Sequence, residues 1–453
     1  MNPAMSNGAR KMEHTLPSSP KRIRFLLGHL HELVSIVLSR PTVPADAIVS
    51  RYFADRRYLG SHDRGFLADS LYDILRGVVR HRHLLAGFLI PDAIDRASAL
   101  HCAVWLHEAH IVVDAALVAD ILSAPLDQIE SLPTRLEQAL QQVSLLPIAA
   151  RASIRHGVPE WLVDSLLQRL GADEMEEALS ALDRQAPITL RVNRLAVTRD
   201  ELKRELEEEG IPSSEGRYSV DALKLRRRLN VHGLRAFRRG FFEVQDEGSQ
   251  IVSLILDPHP GWRVFDACAG AGGKTLHMAA IMKGRGEVWA HDVNNRRLMD
   301  IRPRLKRSGA QNVRIVSHEQ YRLKREGLGK GFDAVLIDAP CTGTGVLRRN
   351  PGARATLDLS ALARLCTIQS SLLQEYAELV RPGGLLLYAT CSLLDQENEA
   401  QIERFLAVDP RWSIVRPDAL TSSMTTPEGY YRSWPHLHDT DALFAALLRR
   451  SKG

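Results

Sequence analysis

Two cysteines stand directly after apolar segments in the second half of the chain. Cys341 follows the segment "FDAVLIDAP", Cys391 ends the segment "GGLLLYATC", and Asp338 stands three residues before Cys341. A thiolate is a strong nucleophile, and a nearby carboxyl group can supply or accept a proton. These residue types in this placement indicate covalent catalysis by a thiol.

Methylation of carbon 5 of cytosine is a reaction that needs such a thiol. Carbon 5 becomes nucleophilic when a thiolate adds to carbon 6 and pushes electron density onto it. Asp338 fits the group that assists the addition through a proton or hydrogen bond near N3 of the base. A free cysteine has a pKa of about 8.5, so the attacking thiol needs a positive neighbour, and Lys274, Arg348 and Arg349 are candidates. The residues alone leave open which cysteine attacks.

A glycine-rich turn, "DACAGAGGKT", follows the first strand of the same half. The spacing excludes a P-loop because Cys268 occupies the place of its first glycine. It excludes a dinucleotide-binding turn because Thr275 occupies the place of its third. What remains is Asp266, the glycines, and Asp292 at the end of the second strand, where a carboxylate accepts both hydroxyls of a ribose. This set predicts S-adenosylmethionine, which has a ribose and an amino acid part but no phosphate.

Composition narrows the class of protein. The chain has 453 residues, with 59 Lys and Arg against 54 Asp and Glu, an excess that permits a polyanionic partner. Five cysteines without a C-x-x-C pair argue against a disulfide framework or a zinc cluster, so we expect the cytoplasm and no metal. Cys102, Cys268 and Cys366 are predicted to be small buried hydrophobes. No run approaches the ~18 apolar residues of a membrane-spanning helix.

Hydrophobic patterns divide the chain into four parts. Residues 1–20 predict a mobile polar tail, and residues 21–155 have the apolar spacing of an all-α domain. Residues 156–245 predict a small α/β segment, with a strand at "RVNR" and a helix that begins near Thr198 or Asp200. In residues 246–453 apolar strands alternate with helices. This predicts a doubly wound, mostly parallel sheet that binds ligands at the carboxyl ends of its strands.

Basic residues cluster in two places. Residues 224–240 contain seven Lys or Arg, interleaved with an aromatic residue and without an acid, which predicts contact with RNA. The RNA-binding residues predicted there are Arg226, Arg227, Arg228, Arg238 and Arg239. The second cluster, residues 294–309, is predicted to form a solvated helix face.

Three motifs resemble the signatures of the Sun/Fmu family of RNA cytosine-5 methyltransferases: "DACAGAGGKT", "DAPCTGTGVLRRNP", and "YATCS" followed by "ENE". Gly270 and Ala271 stand where that family usually has Ala-Pro. The segments "PEWLVDSLLQRLG", "ITLRVNR" and "FFEVQDEGSQ" resemble the RNA-facing part of the family. The helical first part resembles the NusB-type, RNA-binding domain of its bacterial small-subunit rRNA members.

The resemblance implies a role for each site residue. Cys391 is implied as the nucleophile and Cys341 as the residue that helps to release the product, while Asp338 and Lys274 complete the catalytic set. Glu319 stands where the family usually has an Asp that contacts the adenine amino group. The cofactor-binding residues predicted are Asp266, Ala267, Cys268, Ala269, Gly270, Ala271, Gly272, Gly273, Lys274, Asp292, Arg297, Glu319 and Asp338.

The expected partner is RNA, in the first place rRNA, with tRNA as the alternative substrate, and the expected state is a monomer. A non-catalytic ribosome-assembly factor that keeps a methyltransferase fold is a further alternative. An amino-group methyltransferase is disfavoured because such enzymes have an aromatic residue in the loop after the fourth strand, where this chain has Pro340 and Cys341.

Overall fold

The computed structural model describes residues 19–41, 43–86, 94–227, 229–328, 331–417 and 424–452. The predicted tail, residues 1–20, lies almost wholly outside them. The chain forms two compact units. The first extends to Arg184 and includes Leu347–Asp358, and the second comprises Gln185–Val346 and the chain from Leu359 onward. The domain limits expected at residues 155 and 245 stay predictions.

The first unit is helical. Apolar residues at helical spacing, such as Leu26, Leu30 and Leu33, are buried in one core, which confirms the α-helical prediction for this part of the chain. Its helices are α1 (Pro20–Leu38), α2 (Ala45–Asp55), α3 (Ser61–Leu84), α4 (Ile94–Glu108), α5 (Ala115–Leu122), α6 (Leu126–Ser144), α7 (Ile148–His156), α8 (Glu160–Leu170) and α9 (Ala172–Asp183).

The segment Leu347–Asp358 is held in the first unit by Arg354, whose side chain is buried. Arg354 donates hydrogen bonds to the Asp183 carboxylate (2.7 Å) and to the carbonyl oxygens of His156 (2.6 Å) and Leu182 (2.9 Å). A buried guanidinium is tolerated only with such partners. The loop that begins at Cys341 therefore continues into a segment anchored among the helices.

The second unit contains two sheets, of which the smaller is antiparallel with the order β2-β3-β1-β4. Its strands are β1 (Thr189–Val192), β2 (Ser213–Glu215), β3 (Ala222–Leu225) and β4 (Phe242–Val244), and its helices are α10 (Arg199–Glu208) and α11 (Arg235–Arg238). A capping box starts α10: the Thr198 hydroxyl accepts from the Glu201 N–H, and the Glu201 carboxylate accepts from the Thr198 N–H. The predicted strand and capped helix are confirmed.

The larger sheet has the order β10-β12-β9-β8-β5-β6-β7, with β11 paired to β12. Strands β5 to β9 pair in parallel, and β10, β11 and β12 are joined by antiparallel pairing. Its strands are β5 (Arg263–Asp266), β6 (Glu287–His291), β7 (Val313–Val316), β8 (Phe332–Asp338), β9 (Val380–Thr390), β10 (Trp412–Val415), β11 (Tyr431–Arg432) and β12 (Phe444–Arg450). The helices around them are α12 (Glu247–Leu256), α13 (Gly273–Ile281), α14 (Asn295–Met299), α15 (Ile301–Ser308), α16 (His318–Leu328), α17 (Leu359–Ala377), α18 (Glu399–Val408) and α19 (Pro435–His438).

Both faces of this sheet are buried. Phe265, Ile337 and Tyr388 pack in one core, while their neighbours Leu336 and Leu387 pack in the other. A strand buried on both faces is apolar throughout, which is why the sequence has continuous apolar runs here. From β5 the chain winds to β6 and β7 on one side and to β8 and β9 on the other, which places a ligand crevice at the carboxyl ends of the central strands. The doubly wound prediction is confirmed.

The predicted solvated face at residues 294–309 is wrong for two of its arginines. Arg304 donates to Glu243 Oε2 through Nε (3.1 Å) and Nη2 (2.9 Å), and Arg307 pairs with Glu243 Oε1. Glu243 lies on β4 and is buried. A buried carboxylate needs such charged partners, so these pairs join β4 of the small sheet to α15, the helix that precedes β7.

Candidate active site

The two cysteines meet at the carboxyl edge of the large sheet. Asp338 of β8 and Ala389 of β9 are register partners, so the residues that follow leave the sheet side by side. The sulfur atoms of Cys341 and Cys391 are 3.4 Å apart. The hydrogen bond with Cys391, followed by burial, raises the pKa of Cys341 well above its usual value. Cys341 therefore keeps its proton and can donate it to Cys391.

A lysine and a carboxylate lie beside the thiols. Lys274, on the first turn of α13, donates to Asp338 Oδ2 at 2.6 Å. Burial acts to lower the pKa of Lys274, but the charges of Asp338 and Cys391 outweigh it and leave this pKa raised. The ammonium group thus stays charged and favours the ionised form of a neighbouring thiol.

The glycine turn between β5 and α13 allows close backbone packing. Gly270 and Gly272 have φ angles of 53° and 83°. A Cβ on Gly272 would lie 2.3 Å from Cγ1 of Ile301. Glycine is therefore required at this position both by the backbone conformation and by the lack of space.

Two carboxylates flank this turn. Asp292 follows β6, and its oxygens accept hydrogen bonds from the backbone N–H groups of Gly270 (2.8 Å) and Asn294 (2.7 Å). Asp266 ends β5 and accepts from the Thr275 hydroxyl at 2.6 Å, and burial raises its pKa to about 7. Among the described residues, Asp266 Oδ1 has no hydrogen-bond partner of normal geometry. A ligand with hydroxyl and amino donors would satisfy these oxygens.

Residues that the sequence analysis did not identify hold the turn from outside. Arg191 of β1 donates to the Gly273 carbonyl oxygen at 2.5 Å, and Arg304 donates to that of Ala271 at 2.7 Å. Arg191 is buried. The small sheet therefore supports the turn directly, and no local pattern in the sequence signals these contacts.

Glu397 was likewise missed as a site residue, although it stands in the quoted "ENE" motif. Its carboxylate is fully buried and accepts from the Thr342 N–H (2.9 Å), the Thr342 hydroxyl (2.5 Å), the Gln369 amide (3.0 Å) and the Ser392 hydroxyl. Thr342 and Ser392 directly follow the two cysteines. One carboxylate thus ties together the loops that carry both thiols.

The remaining predicted cofactor residues lie around the same edge. A Cβ on Gly270 would lie 3.1 Å from Nε of Arg297. Ala267 is buried, and Cys268 packs against the core that contains Phe265, so the backbone of this stretch is what can face a ligand. Glu319 is exposed on the first turn of α16, after β7. The roles assigned to these residues and to Ala269 stay predictions.

The predicted RNA-binding segment is only partly free. Arg226 and Arg227 are exposed, and Arg228 lies outside the described residues. Arg238 donates to the Gly233 carbonyl oxygen at 2.7 Å. Arg239 pairs with Glu205 at 3.2 Å. Arg227 likewise donates to a backbone carbonyl, that of Gly210, at 3.3 Å. Arg226, Arg227 and Arg238 are therefore the described members of the set whose charge is not shared with a carboxylate, and all three are exposed.

Within the described residues, no group of His, Cys, Asp and Glu side chains has the arrangement of a metal site. The helices described there also include none with the length and apolar character that crossing a bilayer requires.

The chain resembles known methyltransferases over most of its length. Residues 253–449 match the family model of the 16S rRNA methyltransferase RsmB/F, and residues 158–232 match the RsmF/B-like ferredoxin-like domain. It is 32% identical over 303 residues to the probable ribosomal RNA small subunit methyltransferase B of Synechocystis sp., covering 66% of this chain and 68% of that protein. Identity to ribosomal RNA small subunit methyltransferase B of Klebsiella pneumoniae subsp. pneumoniae is 34% over 310 residues, 68% of this chain and 69% of that protein. The crystal structure of PH0851 has a TM-score of 0.79 at 29% identity, covering 96% of this chain and 100% of that one.

Strand order, glycine turn and flanking carboxylates define the larger sheet as a methyltransferase fold. The relatives place the chain within that class: it belongs to the Sun/Fmu family of RsmB-like methyltransferases.

We expect Glu397→Gln to separate the two thiols, because an amide NH2 group would face donors in place of one acceptor oxygen. The rate of Cys341–Cys391 disulfide formation with diamide measures this proximity, and it should fall at least several-fold in the variant. Glu205→Gln is the control, because Glu205 lies on α10 and pairs with Arg239. An equal rate in wild type and Glu397→Gln would show that Glu397 does not position the thiols.

Proposed function

We propose that the protein is an S-adenosylmethionine-dependent RNA (cytosine-5) methyltransferase that acts on small-subunit rRNA through a covalent bond between Cys391 and the base. The observation that carries the proposal is the contact of two thiols, 3.4 Å apart, beside the Lys274–Asp338 pair. Two relatives are named ribosomal RNA small subunit methyltransferase B, which supports this choice of substrate.

Cys391 is the attacking group in this mechanism. Cys341 keeps its proton and donates a hydrogen bond to the sulfur of Cys391, and the Lys274 ammonium adds a positive charge beside it, so we assign the role of nucleophile to Cys391. A sulfur lone pair of Cys391 forms the bond to carbon 6, and the electrons of the C5–C6 double bond move onto carbon 5 and towards N3. We assign to the Lys274–Asp338 pair the role of supplying a proton or hydrogen bond to N3.

S-adenosylmethionine, when bound, supplies a methyl group on a positively charged sulfur. The residues present fit this ligand. Asp292 would accept hydrogen bonds from the ribose hydroxyls, and Asp266 Oδ1 would accept from the amino group. The turn from Gly270 to Gly273 lets the backbone approach the amino acid part. Glu319 is the residue proposed for the adenine amino group.

Release of the product requires a base for the proton on carbon 5, and we assign this role to Cys341. The largest cause of its raised pKa is the hydrogen bond to Cys391. Once the Cys391 sulfur is bonded to carbon 6, this interaction is lost, and Cys341 can release its proton to water. The Cys341 thiolate then takes the proton from carbon 5. The electrons of that C–H bond restore the C5–C6 double bond and expel Cys391 as a thiolate.

The RNA must present the cytosine outside a helix, because neither thiol could reach carbon 6 of a stacked, paired base. The target base therefore lies in a loop or is flipped into the site. Arg226 and Arg227 are exposed and would contact the phosphate backbone. The helical first unit is proposed to add RNA affinity.

Incorporation of a labelled methyl group from S-adenosylmethionine into in vitro transcribed small-subunit rRNA tests the function directly. The product should be 5-methylcytosine, and tRNA transcripts serve as the comparison substrate. Methylation of tRNA alone would replace the proposed substrate. Absence of incorporation into either RNA would favour the non-catalytic assembly factor.

The two cysteines should have separable phenotypes. Cys391→Ser should abolish turnover and any covalent RNA adduct, because a hydroxyl without a lowered pKa is a far poorer nucleophile at pH 7. Cys341→Ser should still allow attack and methyl transfer but should stall elimination, so protein cross-linked to RNA should accumulate. Denaturing electrophoresis with labelled RNA measures the adduct. Accumulation in Cys391→Ser instead would reverse the two roles.

Asp292→Ala should weaken S-adenosylmethionine binding by roughly 1–3 kcal/mol, because ribose hydroxyls and the Gly270 N–H lose their acceptor. Isothermal titration calorimetry measures the change. Asp292→Asn retains one acceptor oxygen and should lose less affinity. If Asp292→Ala binds the cofactor as wild type does, Asp292 is not part of the cofactor site.

Arg226→Ala combined with Arg227→Ala should weaken RNA binding and reduce its log–log salt slope by about one to two, because each phosphate contact contributes about 0.7 to 0.9. Cofactor affinity should stay the same. Fluorescence anisotropy over a salt series measures the slope. A slope equal to that of wild type would show that these arginines are solvated surface residues that do not contact the RNA.

A further inference from the structure

A second cleft lies in the second unit, near the amino ends of the parallel strands. It has a volume of about 520 Å³, and its lining includes Trp262 before β5, Asp333 near the start of β8 and Gly384 near the start of β9. This volume is within the ~300–1,000 Å³ of sites that hold compact organic ligands. Gly384 and Cys391 are seven residues apart along one strand, a separation of roughly 20 Å at about 3.3 Å per residue. The cleft is therefore separate from the thiols.

Four arginines, Arg194, Arg381, Arg416 and Arg449, line this cleft. Arg194 pairs with Asp221 at 2.5 Å, and Arg381 pairs with Asp333 at 2.7 Å.

The other two arginines donate to backbone carbonyl groups. Arg416 donates to Pro427 (2.7 Å) and Arg449 donates to Gly383 (3.3 Å). Within the described residues, neither has a carboxylate at ion-pair distance. Their guanidinium groups are exposed and oriented by neutral acceptors, so their positive charges remain available to an anion.

The acidic residues of the cleft do not cancel this charge. Asp333 already accepts from the Arg263 N–H at 2.8 Å and from Arg381. Asp257 is the other acidic residue in the lining. With Asp221, the partner of Arg194, four arginines meet three carboxylates, so the cleft stays positive, and this charge balance favours a polyanionic ligand.

An aromatic surface lies in the same cleft. Trp262 is half-buried, and its ring meets that of His259 at 4.7 Å in an edge-to-face arrangement. Apolar side chains of Ile255, Val415 and Leu447 form part of the lining. Arginines that contact phosphates together with an aromatic ring on which a base can stack are the features of surfaces that bind single-stranded nucleic acid.

We propose that this cleft, which we call the arginine cleft, binds a single-stranded segment of the substrate RNA through Arg416, Arg449 and Trp262. The proposal rests on the proposed function for the identity of the RNA. The arginine cleft contributes affinity and not chemistry, because it lies at the amino ends of the strands, whereas Cys341 and Cys391 lie at the carboxyl edge. It holds RNA outside the target nucleotide and lowers the KM for long substrates.

The test combines Arg416→Ala with Arg449→Ala and measures binding of in vitro transcribed small-subunit rRNA by anisotropy over a salt series. The log–log salt slope should fall by about one to two. The KM for this RNA in methylation should rise about five- to tenfold, with kcat and S-adenosylmethionine affinity unchanged. Trp262→Leu, which alters no charge, should raise the KM several-fold and leave the slope nearly as in wild type.

The matched control removes two arginines that are paired with acids outside the arginine cleft. Arg314 pairs with Glu287, and Arg411 pairs with Asp409 (2.6 Å) and Glu378 (2.5 Å). Arg314→Ala combined with Arg411→Ala changes net charge by the same amount and should leave both slope and KM close to wild type.

Binding is measured without catalysis, so the two proposals fail separately. If wild type binds rRNA but does not methylate it, the proposed function fails. The salt slopes of the cleft variant and the control variant still show whether the arginine cleft binds RNA. If methylation is normal and the cleft variant matches the control, the arginine cleft does not bind RNA. That result would also be obtained if the occupant were a protein. If wild type does not bind rRNA, both proposals are overturned.

Discussion

The parallel pairing of β8 with β9 is the constraint on which the thiol geometry depends. The Ala339 N–H donates to the Ala389 carbonyl oxygen at 2.8 Å, so the ladder extends to the last residues before both loops. A slip of one residue would turn the following side chains to the opposite face of the sheet. The apolar residues of both strands prevent such a slip, because it would move Ile337 and Leu336 into each other's cores. Core packing thus specifies where the two sulfur atoms meet.

Beyond the last hydrogen bond between β8 and β9, buried polar contacts position the two loops that carry the cysteines. Glu397 accepts four hydrogen bonds, two of them from Thr342, which offsets the cost of burying its carboxylate. On the other side of the site, Arg191 holds the glycine turn by its carbonyl oxygen. Catalytic geometry on loops requires such supporting residues, because the loops have no ladder of their own. The small sheet is therefore part of the site, because one of its side chains holds the glycine turn.

The sequence predicted those parts of the structure that follow from a local pattern of residues. Apolar runs identify strands, and parallel strands end at one edge, so the proximity of Cys341 to Cys391 was predictable. The contacts that support the site from outside could not be predicted from the sequence. The pairing of Arg304 and Arg307 with Glu243 joins residues about sixty positions apart, and a basic helix face has the same local sequence whether or not a distant carboxylate meets it. The antiparallel strands β10, β11 and β12 were not anticipated either.

The charges of the site explain why two thiols in contact are useful. Two thiolates at 3.4 Å would repel each other strongly, so the pair holds at most one negative charge. In the proposed mechanism, Lys274 carries one positive charge against the negative charges of Asp338 and the Cys391 thiolate. The net negative charge is complementary to a positively charged sulfonium. Attack on carbon 6 followed by methyl transfer would remove the negative charge of the Cys391 thiolate and the positive charge of the sulfonium together. Elimination through Cys341 then restores the thiol and the thiolate, so the site returns to its starting charge after each cycle.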